Sequence, residues 1–86
     1  MEINKKRLIK ELLEKDKTLE SDMDKIIETI EKIENFKRRK STKIKLSNDI
    51  VMEMNKKTSG YYPAYFFKWN DKSHYYTINP YESMDY

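Results

Sequence analysis

The chain has 86 residues, of which 38% are charged and 37% hydrophobic, and its formal net charge is +3. A chain of this length buries only about 60% of its unfolded surface, so it can form one small domain with a limited core. It has no Cys and a single His, which excludes disulfides and thiolate metal sites and argues against a histidine metal centre. No long apolar run is present, so we expect no membrane-spanning helix and a cytoplasmic protein.

The first forty residues predict amphipathic helix. Residues 2–40 contain no Gly or Pro and are rich in Glu, Lys, Leu and Ile. Two arrangements remain open: one long helix of about 55 Å, or two helices, about 3–15 and 20–39, folded as a hairpin after a weak point at Asp16. Apolar side chains at heptad spacing indicate a seam. The predicted seam comprises Leu12, Leu19, Met23, Ile26, Ile30 and Ile33.

This apolar stripe is longer than residues 41–86 are expected to cover. We therefore predict that the chain associates with itself through the seam and forms a homodimer. The chain would then consist of a helical or coiled-coil segment, 1–40, and a small β-rich aromatic module, 41–86.

Residues 42–46 alternate between Thr, Ile or Leu and Lys, which predicts a half-buried strand. The segment that follows is ambiguous. Ser47 either opens a turn into a second strand, from Ile50 to Met54, or caps a helix over about 48–58 that ends at Gly60. Apolar residues fit both periodicities, and the helix is the preferred prediction.

Aromatic residues predict a β-hairpin over 64–79. A two-residue turn at Asp71-Lys72 would place Trp69 opposite His74. Alternation puts one set of aromatic side chains in the core and leaves others outside. The expected core side chains are Tyr65, Phe67 and Trp69. The predicted fold class is α+β: a long amphipathic helix or helical hairpin followed by a small antiparallel β unit.

A basic run supplies the net charge of the chain. Residues 37–46 carry six Lys/Arg and no acid, whereas 1–36 hold eight basic and ten acidic residues and 47–86 hold four and five. Such a run attracts phosphates or an acidic partner. It also suits a helix C-terminus, where the macrodipole favours cations. The candidate contacts are Lys37, Arg38, Arg39, Lys40, Lys43 and Lys45.

Aromatic side chains outside the core form a second candidate surface. Tyr and Trp are favoured anchors of protein interfaces, and aromatics beside cations also stack on the bases of single-stranded nucleic acid. The candidate protein-binding residues are Tyr61, Tyr62, Phe66 and Tyr75.

The sequence contains no recognisable set of catalytic residues. Gly60 is the only glycine and His74 the only imidazole, so no phosphate loop and no Ser-His-acid set can be assembled. We expect no enzymatic activity, no cofactor and no metal.

The Lys-, Ile-, Asn- and Tyr-rich composition is similar to that of small accessory proteins of AT-rich phages and mobile elements. We therefore expect a non-enzymatic protein that binds and modulates or inhibits a larger host protein, such as a nucleic-acid-processing or defence machine. A dimeric DNA- or RNA-binding regulator and a structural coiled-coil adaptor are the alternatives.

Overall fold

The computed structural model describes residues 3–36, 39–57 and 64–77. Its elements are α1 (Lys5–Lys15), a 3-10 segment (Lys17–Asp22), α2 (Met23–Glu34), β1 (Lys40–Lys45), β2 (Val51–Lys57), β3 (Ala64–Trp69) and β4 (Lys72–Thr77). The strands pair antiparallel in the order β1-β2-β3-β4, with the helices on one side. The predicted α+β class is therefore confirmed. None of the described helices is long and apolar enough to cross a membrane.

The two helices form a hairpin. α1 stops at Asp16, whose backbone is extended with φ −158°. The Lys5 amine, at the start of α1, lies 3.6 Å from the Glu31 carboxylate, near the end of α2. In one continuous helix these residues would be about 39 Å apart, at 1.5 Å per residue. The hairpin is therefore the correct alternative, and the single long helix is wrong.

The predicted dimer seam is part of the core of the single chain. Its side chains pack in one cluster with Met52, Met54 and Phe67 of the sheet. The homodimer prediction assumed that the apolar stripe is too long for the rest of the chain to cover. The hairpin brings the two halves of the stripe side by side, and the sheet presents an apolar face that covers them. This burial removes the argument for a seam between copies. Exposure is at most 3% for Leu12, Leu19, Ile26, Ile30 and Ile33, and Met23 packs on the same cluster half-buried.

The preferred prediction of a helix over 48–58 is wrong. Strand β2 lies in this segment, so the alternative prediction of a second strand is correct. Met52 and Met54 are both fully buried. On a helix these two side chains would point about 200° apart, whereas on a strand they share one face. The preceding turn has a positive φ of 67° at Asp49, a residue type that tolerates this conformation.

The β3–β4 hairpin turns at Asn70-Asp71, where φ is 41° and 62°. The predicted turn at Asp71-Lys72 is therefore wrong by one residue. Trp69 pairs with Lys72 and not with His74, so the register is displaced by two positions. Because the displacement is even, every side chain keeps its predicted face. The expected core residues Tyr65, Phe67 and Trp69 are confirmed, each at most 1% exposed.

Polar contacts join the ends of both helices to the sheet and to the turn that follows β1. The Trp69 indole donates a hydrogen bond of 2.9 Å to Asp16, at the end of α1. Asp22, at the start of α2, accepts hydrogen bonds from the backbone N–H and the hydroxyl of Ser47, at 2.9 and 3.0 Å. The opposite face of the described sheet carries no described helix.

Candidate binding face

The helix-free side of the sheet, here called the open face, is built from alternate positions of the four strands. Cross-strand pairing arranges these positions in rows that run across the strands. The aromatic row is Ser41, Asn55, Phe66 and Tyr75, the charged row is Lys43, Glu53, Lys68 and Ser73, and the end row is Lys57, Ala64 and Thr77. Lys45 and Val51 pair beyond the charged row.

An aromatic pair lies on the open face. Phe66 and Tyr75 are direct cross-strand partners, with ring centroids 6.3 Å apart and planes inclined by 53°. Tyr75 is 52% exposed, and Phe66 is half-buried. The Lys57 amine lies 5.8 Å from the Phe66 ring centroid, within range of a cation–π contact. The pair is thus a solvent-facing π surface with a cation beside it.

Lysines outnumber acids on this face. Lys43, Lys45, Lys57 and Lys68 are exposed, and Glu53 is the one acidic residue among its described strand positions. Lys43 lies 3.9 Å from Glu53, and Lys45 lies 3.4 Å from Asp49 in the neighbouring turn. These pairs are well exposed, so each contributes little and leaves the amine available to a ligand.

The basic run is divided by the fold. Lys43 and Lys45 alternate onto the open face, and Arg39 is exposed just before β1. The Lys40 amine lies 4.6 Å from the Phe36 ring centroid. Of the other predicted site residues, Lys37, Arg38, Tyr61 and Tyr62 lie outside the described residues.

Sequence reasoning missed Lys57, Lys68 and Asn55. None of them lies in the basic run, and each joins the site through long-range strand pairing. The signal that could have identified Lys68 is its alternation with the core residues Phe67 and Trp69, which assigns it to the outer face of the hairpin. No local pattern signals Asn55, because its position beside Phe66 depends on the pairing of β2 with β3.

A second polar cluster lies between α1 and the sheet. His74 Nε2 and Arg7 Nε lie 2.8 and 3.1 Å from the two oxygens of the Glu11 carboxylate. The Arg7 guanidinium is 4.2 Å from the Tyr76 ring centroid, and burial raises the pKa of the Tyr76 phenol. These groups join α1 to β4. No group of three metal-ligating side chains occurs in the part of the chain that the structure describes.

Comparisons with known proteins found no relationship. The chain matches no protein-family model. No curated protein and no solved structure gave a significant match. The function is therefore argued from the open face.

Proposed function

We propose that the protein binds single-stranded nucleic acid on the open face. The observation that carries the proposal is the exposed Phe66–Tyr75 pair with lysines around it. Aromatic side chains stack on unpaired bases, and neighbouring cations contact the phosphates of the same strand. Two of the candidate protein-binding aromatics, Phe66 and Tyr75, and two lysines of the basic run, Lys43 and Lys45, thus contribute to one surface.

The shape of the face favours a single strand over a duplex. Four strands spaced by about 4.8 Å give a platform about 14 Å wide. This platform is wider than the major groove of B-DNA, about 12 Å, which admits a helix or a two-stranded ribbon. No described element projects from the face to enter a groove. A platform of this width suits a few splayed nucleotides.

The test is fluorescence anisotropy with labelled 12-nucleotide single-stranded DNA and RNA and with the matching duplex. Tyr75→Ala should weaken single-strand binding about 5- to 150-fold, since base–aromatic stacking contributes roughly 1–3 kcal/mol per base. Val51→Ala is the matched control: Val51 is 49% exposed near the same face but has no π surface. Its affinity should stay within about twofold of the unsubstituted protein.

Salt dependence provides the second measurement. Four phosphate contacts, one for each open-face lysine, predict a log–log slope of about −2.8 and an affinity loss of about 50-fold between 50 and 200 mM salt. A salt-independent affinity, equal binding of the duplex, or an unchanged affinity in Tyr75→Ala would contradict the proposal.

Docking on a larger protein partner is the second candidate function. The exposed apolar side chains Val51 and Tyr75 favour it, because both face solvent on one side of the sheet. In that case no oligonucleotide binds, and Val51→Ala weakens capture of the partner as strongly as Tyr75→Ala does. The same pair of variants therefore distinguishes the two functions.

A further inference from the structure

A small basic pocket lies where β1 begins and β2 ends. Its volume is about 260 Å³, below the range of about 300–1,000 Å³ that is usual for sites of drug-sized ligands. This size fits a compact anion with part of an attached sugar. The lining residues are Arg39, Lys40, Ser41, Asn55, Lys56 and Lys57, with no acid among them.

The lining combines charge with neutral hydrogen-bond donors. Ser41 and Asn55 are cross-strand partners in the aromatic row, and they bring a hydroxyl and a side-chain amide to the pocket. Lys56 plays a different part, because its buried amine donates to the backbone carbonyls of Glu34 and Phe36 and is thereby fixed. A phosphate accepts hydrogen bonds from such donors and is attracted by the surrounding cations.

The pocket adjoins the aromatic pair. Asn55 and Phe66 are direct partners across β2 and β3, and such partners have Cβ atoms about 4.5–5.5 Å apart. Lys57 also connects the pocket with the aromatic pair, because it lines the pocket and its amine lies 5.8 Å from the Phe66 ring centroid. A group in the pocket is therefore one strand away from a base stacked on Phe66 and two strands away from a base stacked on Tyr75.

We infer that this pocket is a phosphate subsite for a nucleotide whose base stacks on the Phe66–Tyr75 pair. The inference rests on the proposed function and adds the position of one phosphate relative to one base. In a complex with a single nucleotide only Lys57 contacts the phosphate, whereas Lys68, on the other side of the aromatic row, is left to contact a further phosphate of a longer strand.

The experiment is a titration of the full chain, followed by ¹H–¹⁵N NMR, with inorganic phosphate, adenosine and 5′-adenylate in turn. Inorganic phosphate should shift the amide signals around Ser41, Asn55 and Lys57. Adenosine should shift those of Phe66 and Tyr75. The 5′-adenylate should shift both groups and bind about tenfold or more tightly than adenosine, because the subsite adds charge-assisted hydrogen bonds.

Two variants and one matched control test the subsite itself. Lys57→Gln should remove most of the advantage of 5′-adenylate over adenosine. Asn55→Leu should weaken 5′-adenylate binding without a change of charge. Lys68→Gln removes the same charge from the same face but outside the pocket, so it should alter the affinity for 5′-adenylate, which has one phosphate, less than twofold.

Equal losses in Lys57→Gln and Lys68→Gln, or equal affinities for adenosine and 5′-adenylate, would overturn the subsite. If oligonucleotides still bind in either case, the proposed function survives that failure. If neither 5′-adenylate nor any oligonucleotide binds, both proposals are wrong.

Discussion

Asp16 is the joint between the helical hairpin and the sheet, and its removal should be costly. One carboxylate oxygen accepts hydrogen bonds from the backbone N–H and the hydroxyl of Thr18, at 3.0 and 2.6 Å. The other accepts the 2.9 Å hydrogen bond of the Trp69 indole and lies 3.8 Å from the Lys72 amine. The side chain is only 10% exposed. Asp16→Ala would remove all of these contacts together.

Two contributions set the expected loss of stability. Losing the cap at the start of the 3-10 segment costs about 0.5–2 kcal/mol. Leaving the buried Trp69 indole N–H without an acceptor costs about 1–3 kcal/mol. Their sum, about 1.5–5 kcal/mol, is a large part of the roughly 4–13 kcal/mol typical of a chain of this length. At about 4–8 °C per kcal/mol, the melting temperature should fall by about 6–40 °C.

Urea unfolding followed by tryptophan fluorescence measures this effect directly, because Trp69 is the only tryptophan. Asp16→Asn is the control: Asn is a good helix cap, so the variant should lose less stability than Asp16→Ala. A loss below about 0.5 kcal/mol in Asp16→Ala would refute the reasoning, since it would mean that neither the cap nor the indole hydrogen bond stabilises the fold.

The same carboxylate makes stability depend on pH. The Thr18 hydroxyl lowers the pKa of Asp16, the indole and Lys72 act in the same direction, and burial opposes them. A lowered folded-state pKa stabilises the protein above the unfolded value, near 3.9, and this stabilisation is lost as the pH falls through the folded-state pKa. The free energy of unfolding should therefore fall less between pH 5 and acid pH in Asp16→Asn than in the unsubstituted protein.

Two further predictions follow from the core and from the open face. Ile30→Ala should cost about 2–5 kcal/mol, because Ile30 is fully buried. The unfolding midpoint of this variant should not depend on protein concentration. A midpoint that rises with concentration would mean that Ile30 packs between two copies of the chain. Glu53→Gln should tighten single-strand binding by up to about fivefold in the anisotropy assay, since a carboxylate about 4 Å from a phosphate costs roughly 1 kcal/mol in water. Weaker binding in this variant would argue against phosphates on the charged row.

The helical half shows what heptad spacing reveals and what it leaves open. The spacing identified five of the buried side chains, Leu12, Leu19, Ile26, Ile30 and Ile33, but did not include the fully buried Leu8. The polar weak point at Asp16 marked the end of α1 correctly. The pattern could not name the surface that covers the stripe, because a partner helix and a sheet both bury a row of Leu and Ile. Whether a sheet or a partner helix covers the stripe depends on how much apolar area the sheet presents. With residues 51–57 as strand β2, Met52 and Met54 add to that area and pack against the helices.

The β3–β4 hairpin shows a similar limit. Alternation assigned the inner and outer aromatics correctly but cannot detect a slip of two positions, since such a slip preserves both faces. The position of the turn, and with it the register, depends on which two residues can adopt the turn conformation. A two-residue turn of this kind needs positive φ at both positions, which Asn70 and Asp71 tolerate and Lys72 does not favour. The residue types at 70 and 71 therefore specify the register of this hairpin.

The open face could not be assembled from the sequence because its residues meet only through the pairing of β2. Once β2 is central, Asn55 lies beside Phe66 and Lys57 approaches the same ring. Lysines at the outer positions of such a sheet are expected for solvation alone, so their presence does not decide the function. The distinguishing feature is that the outer positions of β3 and β4 carry Phe66 and Tyr75 in contact, a π surface that the hydrophobic core does not need. The aromatic pair is therefore the argument for binding, and the surrounding lysines argue that the ligand is anionic.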